Sequence, residues 1–283
     1  MENEAGQELD RAAELTNTCS AALMPPDQAN AARIYDWLLG GSSNFAADRM
    51  AGQQLLRAIP HATKNAIANR LFLNRVVRYL ASREIRQFID LGSGLPTVGN
   101  VHQIAESISP SSVVVYVDND PVVVEHSRSL LCGNRNVSIV QADLRKPDQV
   151  LQATELRRVI DFDRPVAILA ASVLHFIDHT DLLLSVMSQY VSSLVPGSCV
   201  AISHLTGEFA SADENFLAQS IYARTATTVT PRSRTEISAL FGGLQLLPPG
   251  VVRVSEWNPD LFDPSEDYAR DIYGGVAMVV DEL

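Results

Sequence analysis

Five short apolar segments alternate with segments of helical periodicity between residues 87 and 203, and this alternation restricts the fold more than any single motif does. The clearest segment, residues 113–117, consists of four valines and a tyrosine, and Asp118-Asn119-Asp120-Pro121 follows it. β-Branched residues favour strands, and proline suits the first turn of the next helix. Strands that alternate with helices at this spacing predict right-handed βαβ units and a parallel sheet covered on both faces.

The same periodicities predict the remaining elements of an open α/β sheet. Strands are expected over residues 87–91, 137–140, 166–171 and 199–203, with later ones over 251–254 and 276–280. Helices are expected over residues 98–108, 147–159, 180–194 and 233–241, with Thr180 as the N-cap of the third.

The N-terminal part of the chain is helical in pattern. Residues 29–80 carry apolar side chains at three- and four-residue spacing, and Gly40-Gly41-Ser42-Ser43-Asn44 interrupts them with turn-forming residues. We therefore divide the chain into an acidic leader (1–28), an N-terminal helical lid (29–84) and an α/β domain (85–283).

Charge and cysteine content exclude several classes of partner. Acidic residues outnumber basic ones 33 to 22, and a surface of this sign repels phosphate backbones, so no nucleic-acid partner is expected. The three cysteines lie far apart, and no clustered spacing of histidines and acids supports a metal site. Neither a signal peptide nor a membrane span is indicated, so we predict a cytoplasmic protein that acts on a small molecule.

Three features follow the ends of predicted strands, where open α/β sheets bind their ligands. Gly92-Ser93-Gly94 follows the first strand, Asp118 ends the second and Asp143 follows the third. An acid after the second strand can accept two ribose hydroxyls, and Asp143 can accept an adenine amine while Leu144 packs on the ring. The third glycine of a dinucleotide fingerprint is missing, which disfavours a nicotinamide-dependent dehydrogenase. A nucleoside without phosphates fits these features, and S-adenosylmethionine is one.

The motifs FIDLGSG, VVYVDNDP, QADLR and VLHF, in this order, resemble the class I S-adenosylmethionine-dependent methyltransferases. The segments ARIYDWLLGGSSNFAADR, NRLFLNRVVRYL, RQFIDLGSGLPT, NVHQIA and PGSCVAISH more narrowly resemble the actinobacterial DUF574 family. The resemblance implies a Rossmann-like sheet of seven strands with an antiparallel final strand, and it does not specify an acceptor substrate.

Carried over to this sequence, the resemblance implies a set of cofactor-binding residues. The methionine part of S-adenosylmethionine would contact Gly92, Ser93 and Gly94, Asp118 would hold the ribose, and Asn119, Asp143 and Leu144 would contact the adenine. Leu95 would also be a cofactor-binding residue. Ala171 and Ser172 would border the sulfonium, His102 would lie near the cofactor carboxylate, and Tyr35, Gly40 and Asn44 would belong to the closing lid.

Structural roles compete with several of these assignments. The glycines can serve a tight turn alone, Tyr35 can be a core residue, and Asp118 can cap the next helix, although Asp120 is better placed for capping. His175 and His204 follow the fourth and fifth strands and are candidate general bases, with a buried structural role as the alternative. His61, His126 and His179 are expected at the surface.

The sequence therefore predicts methyl transfer from S-adenosylmethionine to a small molecule, by in-line displacement in a site closed by residues 29–80. Positioning alone supplies about 7–11 kcal/mol in such a reaction, so a base is needed only for an acceptor such as a phenol.

Two alternative functions stay open from the sequence. One is an enzyme that transfers or cyclises the aminocarboxypropyl arm, and the other is a binding or scaffold protein without turnover. The modified atom and the oligomeric state are not specified.

Overall fold

A sheet of eight strands forms the centre of the described part of the chain, which in this computed structural model comprises residues 28–96, 99–223, 225, 228–258 and 270–281. The strand order is β3-β2-β1-β4-β5-β8-β6, with β7 also paired to β8, and β1 to β5 are parallel. The strands are β1 Gln87–Leu91, β2 Val113–Asp118, β3 Val137–Gln141, β4 Ala167–Ala171, β5 Cys199–Leu205, β6 Gln245–Leu246, β7 Val252–Arg253 and β8 Ile272–Met278.

The last strand, β8, runs antiparallel to β5, as the resemblance implied, but it begins at Ile272 rather than at residue 276. Both β6 and β7 pair with β8, and Pro248 and Pro249 lie between them. Because proline has no N–H to donate to a ladder, the edge strand is divided into two short pieces. This division accounts for eight strands where seven were predicted.

Helices cover both faces of the sheet. They are α1 Ala31–Leu38, α2 Ala46–Ala58, α3 Ala62–Ser82, α4 Val101–Ile108, α5 Pro121–Leu130, α6 Pro147–Leu151, α7 Thr154–Arg157, α8 Thr180–Ser192, α9 Ala212–Tyr222 and α10 Arg234–Ala239. α3 and α4 pack with Phe88 on one face, whereas α6, α7, α8 and α10 pack with Ile89 on the other. Successive strand residues thus face opposite layers, and all five residues of β1 are buried.

The N-terminal helices form a separate apolar cluster above the sheet. Ile34, Leu38 and Leu55, from α1 and α2, pack with the first turn of α3 and with Ile221 of α9. The later turns of α3 belong to the core against the sheet. α3 therefore connects the predicted lid firmly to the α/β domain.

Three helical features also differ from the sequence predictions. The predicted helix over residues 147–159 is two short helices, α6 and α7, separated by Gln152 and Ala153. Thr180 is the first residue of α8, and His179 occupies the N-cap position. α9 was not predicted at all, because it buries only Ile221 and so lacks a continuous apolar stripe.

Two predictions fall wholly or partly on residues that the structure does not describe. The acidic leader up to residue 27 and Val98 of the predicted helix over 98–108 are not among the described residues. Within the described ranges, no helix is both long and apolar enough to cross a membrane.

Candidate active site

A cavity of about 630 Å³ lies at the carboxyl ends of β1 to β5, beneath α1, α2 and α9. Its volume is within the range of about 300–1,000 Å³ that is usual for small-molecule sites. The order of the sheet reverses between β1 and β4, so the cavity opens at the topological switch point where open α/β sheets bind ligands.

The predicted glycine turn forms one wall of this cavity. Gly92 has φ +63°, and a Cβ atom there would lie 2.1 Å from Val173 Cγ2. Gly94 has φ +62°, and a Cβ atom there would lie 3.6 Å from the side chain of Ala32 on α1. Both positions need the left-handed backbone that glycine tolerates, and the turn brings backbone rather than side chain to the cavity. Ser93 and Leu95 also line the wall.

Asp118 connects this turn to the end of β2. Its Oδ2 accepts the N–H of Gly94 at 2.9 Å, and its Oδ1 accepts the N–H of Asp120 at 3.0 Å. Burial raises the pKa of the Asp118 carboxyl, while these two backbone N–H groups act in the opposite direction. Asp120 caps α5 by accepting the N–H of Val122, so the capping alternative for Asp118 is not needed. A carboxylate has about four acceptor sites, so Asp118 retains capacity for a further donor.

The residues predicted to contact the adenine lie along the same wall. Asn119 is exposed and Leu144 is half-buried, and both line the cavity together with Asp143. The guanidinium of Arg145 donates to both oxygens of Asp143, at 2.7–3.0 Å, and this bonding lowers the pKa of the Asp143 carboxyl. Asp143 is therefore ionised and still has lone pairs free for a ligand amine.

A hydrogen-bond network links the lid to the ends of β4 and β5. Tyr35 donates to the carbonyl of Ala66 at 3.0 Å and accepts from Asn69 Nδ2 at 2.9 Å. The Asn69 Oδ1 accepts from Ser203, whose hydroxyl accepts the N–H of Ser172 at 3.0 Å. Ser172 has φ +52°, and Ala171 precedes it on the cavity wall. The Tyr35 hydroxyl thus has partners within the protein, and Tyr35 itself lines the cavity.

Asn30, the N-cap of α1, and Arg33, within α1, hold the N-terminal helices against the loop that follows β2. Asn30 Nδ2 donates to Asp120 Oδ2, and the buried Arg33 lies between Asp48 Oδ2 at 2.8 Å and Asp120 Oδ2 at 3.4 Å. Because breaking a buried ion pair leaves an uncompensated charge, these contacts stabilise the packing of α1 against this loop.

Asp90 of β1 also lines the cavity, although it was not among the predicted site residues. It is 5% exposed, and burial raises the pKa of its carboxyl to about 7, against the opposing charge of Arg70. The sequence placed Asp90 inside the strand, and the strand's two-residue period could have shown that it faces the same layer as Phe88.

The two candidate bases differ in position. His175 lines the cavity, and its Nδ1 accepts the N–H of Leu205 at 3.5 Å, so the neutral ring carries its proton on Nε2. His204 lies behind it, outside the cavity lining, with ring centres 5.5 Å apart. Nδ1 of His204 donates to the Leu205 carbonyl and Nε2 accepts from the buried Arg232 at 3.1 Å. Burial lowers the pKa of His204 to about 4 and that of His175 well below its ordinary value.

Three predicted cofactor residues are not part of the cavity wall. His102 is buried on α4, where its Nδ1 lies 2.8 Å from the hydroxyl of Tyr116. Asn44 donates to Asp36 Oδ2 at 2.8 Å, and Gly40 occupies an exposed turn with φ +77°. Asn44 thus contacts Asp36, which does line the cavity.

Sequence reasoning missed a second polar wall. Asn65 on α3 and Asp271, just before β8, line the cavity, and Asn65 Nδ2 donates to Asp271 Oδ2 at 3.1 Å. His61, expected at the surface, is half-buried, and its Nε2 contacts the same carboxylate oxygen. Asn65 and Asn69 lie four residues apart on the buried face of α3, and amides on an otherwise apolar helix face are the signal that could have found them.

The chemistry of these residues fits S-adenosylmethionine. That nucleoside carries a sulfonium and an ammonium against one carboxylate, and seven aspartates but only two arginines line the cavity among the described residues. Three of the lining residues, Asp36, Asn65 and Ser172, also have a buried side-chain oxygen that has no hydrogen-bond partner. Buried polar atoms of this kind are normally satisfied, so they indicate a site built for a polar ligand. The sheet order, the glycine turn and the acid after β2 define a class I S-adenosylmethionine-dependent methyltransferase.

Comparisons with known proteins agree with this class. The family model described as S-adenosyl methyltransferase matches residues 19–280, and the chain belongs to that family. A candidate methyltransferase from Thermobifida fusca YX is 37% identical, with a TM-score of 0.83 over 90% of this chain and 96% of the other. A DUF574 family protein from Streptomyces avermitilis MA-4680 is 38% identical, with a TM-score of 0.84 over 89% and 98% of the two chains. No curated protein matches.

Proposed function

We propose that this methyltransferase transfers the methyl group of S-adenosylmethionine to a small-molecule acceptor inside the cavity. The observation that carries the proposal is the cavity itself. It has the glycine turn and Asp118 at one end, Asn65 and Asp271 at the other, and helical cover over both. A site of about 630 Å³ beneath a lid suits a small acceptor better than a macromolecular one.

In this proposal each end of the cavity has its own role. Asp118 holds the ribose, Asp143 and Leu144 hold the adenine with Asn119 beside it, and residues 92–95 hold the methionine part. Ala171 and Ser172 border the reacting centre, and His175 faces the acceptor. S-adenosylmethionine, when bound, supplies a methyl group already activated by its sulfonium.

The remaining contribution of the chain is to position the acceptor and exclude water. Holding two reactants in line is worth about 7–11 kcal/mol. The contacts of Asn30 and Arg33 with Asp120 keep the lid over the cofactor end. His175 is a weak base because burial lowers its pKa, so the site favours an acceptor atom that already has a free electron pair.

The test is calorimetric titration of the purified protein with S-adenosylmethionine and S-adenosylhomocysteine, after removal of any co-purified nucleoside. We expect micromolar binding to the wild type and at least tenfold weaker binding to Asp118→Ala. A tenfold loss of affinity corresponds to about 1.4 kcal/mol of binding free energy. The matched control, Asp163→Ala, changes an exposed aspartate outside the cavity lining and is expected to bind as the wild type does.

Turnover is tested with methyl-labelled S-adenosylmethionine and the dialysable fraction of a cell extract. We expect label in dialysable products, and none when Asp118→Ala replaces the wild type at limiting cofactor. Absence of nucleoside binding to the wild type contradicts the proposal, and so does label that appears only in the non-dialysable fraction.

A further inference from the structure

The half of the cavity over β5 and β8 is built differently from the half over β1 to β3. Asp271 immediately precedes β8, and β8 lies four strands from β2, which carries Asp118. With strands about 4.8 Å apart, these two aspartates are separated by roughly 19 Å across the sheet. The far half therefore belongs to the acceptor rather than to the nucleoside.

Asn65 is held in one orientation in this half. Its side chain is 6% exposed, and its Nδ2 donates to Asp271 Oδ2 at 3.1 Å. His61 binds the same carboxylate oxygen, and Arg270 Nε lies 3.4 Å from the other one. Because the amide nitrogen is fixed on Asp271, the other amide atom, Oδ1, is fixed as well.

The Asn65 Oδ1 atom is buried and has no hydrogen-bond partner. A buried acceptor without a donor costs about 1–3 kcal/mol, so native proteins rarely leave one. An amide oxygen accepts but does not donate, and the group that satisfies it must be an N–H, an O–H or an ammonium.

Charge restricts the ligand further. Seven aspartates and two arginines line the cavity among the described residues, and Arg145 is paired with Asp143. A carboxylate or phosphate on the acceptor would be repelled, whereas a neutral or positively charged group would not. The remaining wall is apolar and includes Leu55, Ile59 and Tyr222.

We propose that Asn65 determines acceptor specificity, through a hydrogen bond from the acceptor to its Oδ1, and that the acceptor is an apolar molecule bearing a neutral or cationic donor group. Asp271 and His61 act as positioning residues for the amide. This inference rests on the proposed function, and it adds the substrate class.

The experiment uses three probes that share a 2-phenylethyl group and differ in the polar group that it carries: 2-phenylethylamine, 2-phenylethanol and 3-phenylpropionate. Their affinities for the protein saturated with S-adenosylhomocysteine are measured by ligand-observed NMR. We expect the amine and the alcohol to bind at least tenfold more tightly than the acid. Asn65→Leu and the milder Asn65→Ala are expected to weaken the binding of the amine and of the alcohol by at least fivefold. Both variants are expected to bind S-adenosylhomocysteine within twofold of the wild type.

The control variant is Asn134→Leu, which makes the same change at a half-buried position outside the cavity lining and is expected to leave all affinities unchanged. The inference is overturned if the acid binds as well as the amine, if the Asn65 variants bind the probes as the wild type does, or if the saturated wild type binds none of them. A wild type that fails to bind S-adenosylhomocysteine contradicts the proposed function instead, so the two failures are distinguishable.

Discussion

The two halves of the cavity differ in how their residues come together. In the function proposed above, the nucleoside half consists of the backbone turn that follows β1, of Asp118 at the end of β2 and of Asp143, which follows β3. The proposed acceptor half takes Asn65 from α3, Asn215 from α9 and Asp271 from the residue before β8. These three residues are separated by 56 or more positions in the chain, and only the packing of the helices on the sheet unites them.

This difference indicates which half tolerates substitution. The nucleoside half depends on left-handed glycines and on Asp118 bonded to backbone N–H groups, so a small change there disturbs the turn itself. The acceptor half depends on side chains rather than on a left-handed backbone, so its residues can be replaced without moving a backbone.

The largest effect is expected from adding one methyl group to the nucleoside half. Gly92→Ala places a Cβ atom 2.1 Å from Val173 Cγ2 at a residue with φ +63°. Overpacking and backbone strain together are expected to lower the free energy of unfolding by about 3 kcal/mol. Binding of S-adenosylhomocysteine is expected to fall more than tenfold, as measured by chemical denaturation and calorimetry.

A matched glycine, Gly133, separates the effect of overpacking from that of backbone strain. Gly133 has φ +87°, and no atom lies within 4 Å of the position that a Cβ atom would take there. Gly133→Ala therefore introduces strain without a clash and is expected to cost about 1 kcal/mol. Adding Val173→Ala to Gly92→Ala is expected to recover part of the loss. Equal losses for Gly92→Ala and Gly133→Ala would show that the contact with Val173 does not matter.

The next effect concerns the buried acid of the nucleoside half. Burial raises the pKa of Asp90 to about 7 from its ordinary value of 3.8, so between these pH values the folded state binds a proton that the unfolded state does not. The stability contributed by this proton is present below about pH 4 and is lost as the pH rises through 7. Asp90→Asn removes the titration.

Asp90→Asn is therefore expected to gain stability relative to the wild type as the pH rises from 4 to 8, by a few kcal/mol, since one pKa unit is about 1.4 kcal/mol. Urea denaturation of the ligand-free proteins across this range measures it. Parallel stability curves for the two proteins would contradict the raised pKa.

The smallest effect is expected in the acceptor half. Asn215 is half-buried, and its Nδ2 donates to the Gly207 carbonyl at 3.3 Å. Asn215→Ala is expected to lower the free energy of unfolding by less than about 1 kcal/mol and to leave S-adenosylhomocysteine affinity within twofold of the wild type. Thermal unfolding and calorimetry check both values. A tenfold loss of nucleoside affinity would show that the two halves are not independent.

Local pattern predicted the sheet well and the irregular last quarter poorly. The strand over residues 87–91 has the predicted bounds, because a short apolar run ended by Gly92 specifies both its type and its end. α9 was missed because Phe216 and Leu217 are exposed, so its sequence carries no amphipathic signal. β8 begins four residues before its predicted start, because Gly274 and Gly275 have low strand propensity but pair fully with β5.

The candidate site divides in the same way. Residues 92–95 and Asp118 were predicted together and line one wall, because parallel strands bring their carboxyl ends to one edge. His102 was expected near the cofactor and instead lies buried against Tyr116, since a helix turns successive residues to different sides. His204 follows the same strand edge but lies behind His175.

The sequence by itself determined the alternation of strands and helices, the glycine turn and the acids after the strands, because each depends on contacts among neighbouring residues. Tertiary structure alone decided that Asn65 meets Asp271, that Arg33 lies between Asp48 and Asp120, and that Asn44 donates to Asp36. Contacts of that kind depend on how the helices pack on the sheet, and the local periodicity of the sequence does not predict them.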